Sequence, residues 1–161
     1  MKIRTASRSD VPQLVGLFAE MERHYGAPDV ITPDVIETRL QAWFDGTTDT
    51  TFLVAEDAGR IVGHASLAPL FPAAGAQVAL FIKDVFVNQA ARGKGVGRAF
   101  IQACAAEAKK RGAPRLELTV DHDNEGAARL YKQLGAVDTK KSYFRWDGQR
   151  LADLAKGRHD G

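Results

Sequence analysis

The sequence predicts a single α/β domain in which one mostly antiparallel mixed sheet is flanked by helices on both faces, and three observations carry that reading. Helical apolar periodicity and strand-like apolar runs interleave in the order β-α-α-β-β-β-α-β-α-β. The first two of the three consecutive strands are separated only by the turn residues Asp57, Ala58 and Gly59, as a hairpin requires. The chain has 161 residues, 45% hydrophobic and 26% charged, and no repeat, linker or low-complexity segment divides it, so residues 1–161 read as one domain.

Each element has a local reason. "KIRTA" (2–6) has short strand character, and Ser9 or Asp10 can cap a helix starting near Val11, with Pro12 tolerated in its first turn. Val11, Leu14, Val15, Leu17, Phe18 and Met21 then recur on one helical face. In "ITPDVIETRLQAWF" (31–44), Thr32 before Pro33 signals a helix start, and Val35, Ile36, Leu40 and Trp43 or Phe44 supply the apolar face. "TFLVAE" (51–56), "RIVGHASLAPLF" (60–71) and "AQVALFIKDVFV" (76–87) read as strands. A long helix ends at Gly112, "RLELTVD" (115–121) is a strand, "NEGAARLYKQLG" (124–135) is a helix closed by Gly135, and "SYFRWDG" (142–148) is a last strand.

Composition narrows the function. Twenty-two Lys and Arg against 20 Asp and Glu leave a net charge of +2, too small to argue for nucleic acid, so any basic function is local. The N-terminal "MKIRTASRSD" lacks an apolar h-region, and no apolar run approaches the roughly 20 residues that span a bilayer, so a cytoplasmic protein with no membrane partner is expected. The one cysteine, Cys104, lies among alanines and reads as a helix-packing residue. His24, His64, His122 and His159 show no metal-ligand spacing, so no metal is expected, and His64 on an apolar strand reads as a satisfied packing residue.

The most specific feature follows the third strand of the central run. Gly93, Gly95 and Gly97 alternate with Lys94 and Val96 between Arg92 and Arg98, where the long helix must begin. Without Cβ atoms, such a turn lets successive N–H groups converge and lets a ligand approach the chain closely. The orphan amides and the dipole of the helix start then favour a phosphate or pyrophosphate. A triphosphatase loop is excluded because no Gly-Lys-Ser or Gly-Lys-Thr occurs, and a dinucleotide fingerprint is excluded because Arg98 or Phe100 falls where its third glycine belongs.

The pattern that does fit is R-x-x-G-x-G, met by Arg92, Gly95 and Gly97, which resembles the acyl-CoA pyrophosphate loop of the GNAT N-acetyltransferase superfamily. Downstream, "NEGAARLYKQLGA" resembles that superfamily's N-x-x-A-x-x-L/F-Y-x-x-x-G-F segment, with Asn124, Ala127, Tyr131 and Gly135 matching and Ala136 replacing the aromatic. Within the superfamily the diamine and thialysine (spermidine/spermine-type) acetyltransferases look closest. "FIKDVFV" echoes the end of their cofactor strand and "DVITPDVIETRL" their second helix region; Lys83 stands where they carry an acid.

This resemblance implies acetyl-CoA as acyl donor. The main chain of Val85, Phe86 and Val87 would bind the pantetheine arm, Arg92, Gly93, Lys94, Gly95, Val96, Gly97 and Arg98 the pyrophosphate, and Asn124, Glu125, Gly126 and Ala127 the far side of the arm. Tyr131 would contact the cofactor and serve as general acid to the leaving thiolate. Homodimers are common in the resembling families, and "SYFRW" offers an aromatic edge strand that could pair.

The acceptor expected is the primary amine of a small molecule: an amino acid, a thialysine-like compound or a polyamine. Such an amine needs a base. Asp84 leads, with Glu22 and Glu20 as competitors, and Glu22, Lys83 and Asp84 are the expected acceptor contacts. Lys83 would attract an acceptor that bears a negative group beside its amine. Two other readings stay open: a protein lysine or N-terminal acetyltransferase, and an acyl-CoA-binding regulatory domain without turnover.

Overall fold

The computed structural model describes residues 1–26, 31–46 and 48–157, which leaves the first two residues of "DVITPDVIETRL" and His159 outside the described residues. The chain falls into two compact units, Met1–Leu118 and Thr119–Gly161.

In the first unit the order is β1 (Lys2–Thr5), α1 (Val11–His24), α2 (Pro33–Asp45), β2 (Thr51–Asp57), β3 (Arg60–Ala73), β4 (Gln77–Val87), α3 (Val96–Lys110) and β5 (Leu116–Leu118). The sheet runs β1-β2-β3-β4-β5, with antiparallel pairing throughout except for the parallel β4–β5 pair. It is the mostly antiparallel mixed sheet that the sequence predicts.

Strand alternation feeds two cores. On one face Phe52, Val54 and Phe86 join Val11, Leu14, Leu17 and Met21 of α1 and Ile36 and Leu40 of α2. On the other, Leu53, Ala55, Ala65 and Leu67 join Val96, Phe100 and Cys104 of α3. Successive residues of β2 thus go to opposite layers, which is why its apolar run is continuous. Cys104 is fully buried and its thiol is pushed up to about 12, in keeping with a packing role. Gly63 permits the closest approach: a Cβ there would stand 2.6 Å from the Phe86 carbonyl oxygen and 3.0 Å from the Phe100 ring.

A bulge in β4 decides which side chains reach which face. Asp84 pairs with Ser66, but the next pair is Ile82 with Leu67, so Lys83 is an extra residue. Ile82 consequently belongs to the α3 core although it lies two residues from Asp84, which remains on the α1/α2 side. The same bulge limits β5: its pairing covers Leu80 to Ile82 and stops there, so "RLELTVD" supplies a strand of Leu116–Leu118 only.

The entry to α1 differs from expectation in one respect. Asp10 precedes the helix, yet its side chain makes no cap bond to it. It instead accepts two 2.7 Å bonds from the Arg4 guanidinium and a 2.8 Å bond from the Ser7 amide. Arg4 holds the Asp10 carboxyl down to about 2.

The second unit contains α4 (Glu125–Gln133) and α5 (Gly148–Ala155). The expected last strand "SYFRWDG" is absent: residues 136–147 carry no regular structure, and α5 follows directly. Lys140 adopts a left-handed φ of 56° and its amide is bonded to Asp138, which interrupts an extended run. Among the described residues of this unit no other strand is present to take up the backbone groups of one. Tyr143, Phe144 and Trp146 are exposed, so the aromatic edge strand expected to pair between copies is not formed. No helix among the described residues is long and apolar enough to cross a membrane.

Candidate active site

Between the α1/α2 layer and the sheet, the first unit forms a partly open cavity of about 390 Å³. Phe18 and Glu22 reach it from α1, Ile36, Arg39, Leu40 and Trp43 from α2, Phe52 from β2, His64 and Ser66 from β3 and Asp84 from β4, with Ile31 and Thr50 completing the wall. The helical residues share faces because of their spacing: Phe18 and Glu22 are four apart, and Ile36, Arg39, Leu40 and Trp43 form one stripe. The sheet residues share a face because Phe52 pairs with Ser66 and Ser66 with Asp84.

Two acids in this mostly apolar space define its chemistry. Burial raises the Asp84 carboxyl above its ordinary value; Lys83 opposes that rise and Glu22 adds to it. Among the described residues neither Asp84 nor Glu22 has an ion-pair or hydrogen-bond partner. A half-buried carboxylate left in this state attracts a cation and can accept its proton. Glu20, the other candidate base, is engaged elsewhere, accepting a 2.9 Å bond from the Gln89 amide. Lys83 is exposed and does not line the cavity, because the bulge that aims Asp84 inward sets the preceding side chain apart from that face.

His64 corrects the sequence reading in part. It packs as expected, stacked on Phe18 at 4.6 Å and tilted against Phe52 and Phe86. It is not satisfied, however, since among the described residues neither ring nitrogen has a hydrogen-bond partner, and burial pushes it down to about 4. It is therefore neutral at pH 7 and adds no charge to the cavity.

The glycine turn has the form that anion binding needs. Gly93 and Gly95 have φ of 74° and 81°, and a Cβ on either would meet no protein atom within 4 Å, so the space over the turn is open. Gly95 is the left-handed N-cap of α3 with no side-chain cap, and no amide from Gly93 to Gly97 donates to a backbone carbonyl among the described residues. These amides and the helix dipole suit a pyrophosphate. Arg92 lies over the Phe86 ring and bonds the Val87 carbonyl at 3.1 Å. Beyond Ile82, β4 pairs with β3 alone, so the opposite edge of Val85 to Val87 carries no strand partner in this unit. An extended amide-containing arm can add to such an edge.

The remaining sequence-derived residues are in the second unit. Asn124 caps α4, its Oδ1 accepting from the Ala127 amide at 3.1 Å. Glu125 pairs with Arg129 at 3.0 Å, Gly126 is exposed, and Ala127 and Tyr131 are half-buried. Among the described residues no group of His, Cys, Asp or Glu is arranged to hold a metal ion.

Sequence reasoning missed Arg39, Thr50, Trp43, Phe52 and Ser66 as parts of one site. Only Arg39 left a signal: a cation three residues after Ile36 and four before Trp43, on an otherwise apolar stripe.

Comparison with known proteins identifies the family. The model of the acetyltransferase (GNAT) family matches residues 17–136, which crosses the boundary between the two units. The chain belongs to this family, whose members use acetyl-CoA, and it is an N-acetyltransferase by class. An uncharacterized N-acetyltransferase, YhfO, of Bacillus subtilis is 31% identical over 84% of this chain and 89% of its own length. An L-methionine sulfoximine/L-methionine sulfone acetyltransferase of Pseudomonas paraeruginosa is 29% identical over 83% of this chain and 78% of its own. Thialysine N-epsilon-acetyltransferase of Bos taurus is 34% identical over 47% of each chain. Among solved structures, an integron cassette protein from the mobile metagenome of V. cholerae superposes with a TM-score of 0.85, at 28% identity over 96% of this chain and 97% of that one.

Proposed function

We propose that this acetyltransferase transfers the acetyl group of acetyl-CoA to the primary amine of a small molecule held in the α1/α2 cavity. The observation that carries the reading is the pair of carboxylates, Asp84 and Glu22, without an ion-pair partner among the described residues, in a mostly apolar cavity of about 390 Å³, a volume suited to a metabolite-sized acceptor. The relatives named for thialysine and for methionine sulfoximine and sulfone support a small acceptor.

Chemistry requires a neutral amine. At pH 7 an amine of ordinary lysine-like pKa is neutral in only about one part in 2,500, a handicap of roughly 4.6 kcal/mol. A positioned base recovers typically about 10²–10⁴-fold. Asp84 takes that role: its raised carboxyl is a better proton acceptor than an exposed aspartate, and Glu22 steers the ammonium toward it. Acetyl-CoA supplies the activated acyl group. The amides and cations from Arg92 to Arg98 would hold its pyrophosphate, and the edge from Val85 to Val87 would hold its arm, assisted by Asn124 to Ala127 as the family resemblance implies. Tyr131 carries the proton for the departing thiolate in the same reading.

The test is an acceptor screen with acetyl-CoA, reading free thiol and the mass of the product. Transfer to small amines with kcat/KM well above that for lysine-containing peptides is the expected result. Transfer confined to peptides would overturn the small-molecule reading.

A further inference from the structure

The cavity contains a third charge of opposite sign. Arg39 projects from α2 on the stripe of Ile36, Leu40 and Trp43, and among the described residues its guanidinium has no hydrogen-bond or ion-pair partner. Several other arginines are paired: Arg4 with Asp10 and Glu56, Arg111 with Glu107, Arg129 with Glu125. Two acids and one base thus line this cavity without an ion-pair partner among the described residues, with Phe18, Phe52 and Trp43 in the wall among them.

We propose that the acceptor is a zwitterion, an amine that also bears a carboxylate, with Arg39 as the residue that selects the carboxylate while Asp84 and Glu22 receive the ammonium. This rests on the acetyl-transfer reading above and names its substrate class. A guanidinium fork matches a carboxylate with two parallel hydrogen bonds, a match an amine lacking an anion cannot use. A polyamine would set a second cation against Arg39, which repels it. Arg39 remains solvent-accessible, so a ligand can reach its guanidinium, and the neutral His64 leaves the charge pattern unchanged. The apolar part of the ligand would lie against Phe18, Ile36 and Trp43. In the transfer itself the amine nitrogen forms the new C–N bond and the thioester C–S bond breaks. The ammonium nitrogen loses two protons: the first passes to the Asp84 carboxylate and on to solvent, the second is balanced by the one gained at sulfur, and the products are an N-acetyl amino acid, a free thiol and one released proton. The cation that selects the anion is therefore Arg39, and the exposed Lys83 has no part in it.

Matched pairs test this: lysine with cadaverine, phenylalanine with phenethylamine, leucine with isoamylamine, and each amino acid with its methyl ester. For the wild type, kcat/KM for the best amino acid should exceed that for its decarboxylated partner by on the order of 10- to 100-fold, the range of a charge-assisted hydrogen bond. Arg39→Met, which keeps the apolar stem, should collapse the ratio toward one, by raising KM for the amino acid and, for cadaverine, by relieving the repulsion of its second cation. A second readout is the thermal midpoint of the protein with each amino acid in the absence of acetyl-CoA, which should rise for the wild type and not for Arg39→Met. If bare amines or polyamines are acetylated as well as zwitterions, or if Arg39→Met leaves the ratio intact, the zwitterion assignment falls while acetyl transfer stands. If amino acids bind through Arg39 but nothing is acetylated, the carboxylate site stands and the acetyl-transfer reading falls. If neither binding nor transfer is seen for any pair, both fall.

Discussion

Asp84 of β4 stands across the ladder from Ser66 of β3, and its neighbour Lys83 is the residue that the ladder skips. That relationship puts the acid on the cavity wall and the ammonium outside it, yet leaves Lys83 close enough to oppose the rise of the Asp84 carboxyl. Asp84→Asn should lower kcat/KM by about 10²-fold or more as the base is lost. Lys83→Ala should leave the plateau rate near wild type. It also removes the charge that restrains Asp84, so the acid limb of the kcat/KM profile should move to higher pH. A pH profile unmoved in Lys83→Ala would show that Asp84 does not control that limb.

The glycine turn gives a prediction about the donor. Gly95 is left-handed, so a β-branched residue is strained there, and its Cβ would project into the space above the amides. Gly95→Val should abolish CoA binding, whereas Lys94→Ala, which removes one exposed cation, should weaken it by about tenfold or less. Calorimetric titration of both variants distinguishes them; undiminished affinity in a folded Gly95→Val protein would remove the turn from the binding site.

Tyr131→Phe keeps the ring and deletes one hydroxyl. If the hydroxyl protonates the thiolate, turnover should fall by about 10²-fold with CoA affinity nearly unchanged. Wild-type turnover in this variant would leave Tyr131 a packing role.

Much of this was legible in the sequence, and the failures have physical causes. Helices were readable because capping and period coincide, as in Thr32-Pro33 before the stripe of Ile36 and Leu40. The glycine turn was readable because backbone geometry constrains its residue type. The last strand was misread because Tyr143, Phe144 and Trp146 have strand composition while pairing depends on a partner that composition does not reveal. The cavity was only half legible for a similar reason. The facing of Asp84 depends on a one-residue bulge, and Arg39 shares a cavity wall with Asp84 only through tertiary packing across more than forty residues of chain.

Gly63 tests the layer between sheet and α3. Its missing Cβ leaves room for the Phe86 carbonyl, which is backbone and cannot rotate away, and for the Phe100 ring, which is fully buried. Gly63→Ala should therefore cost about 1–3 kcal/mol by overpacking, although alanine suits a strand better than glycine. Denaturant titration decides it, and a variant as stable as wild type would mean that the strands separate to accept a methyl group without loss.

His64 makes stability depend on pH in a defined window. Its folded pKa is pushed down to about 4 from 6.5 by burial. Between these values the unfolded chain takes up a proton that the folded chain refuses, so stability is full above pH 6.5 and falls as pH drops toward 4, by up to about 3 kcal/mol. Asp84, raised above its ordinary value, acts in the opposite sense by gaining its proton more readily in the folded state, and Asp10, held to about 2, exerts its effect only below the window. His64→Phe keeps an aromatic ring among Phe18, Phe52 and Phe86 and removes the titrating group. Urea unfolding at pH 7.0 and 4.5 should show a large stability difference for the wild type and a small one for His64→Phe. Equal differences in the two proteins would mean that the imidazole acquires a proton-stabilising partner in solution.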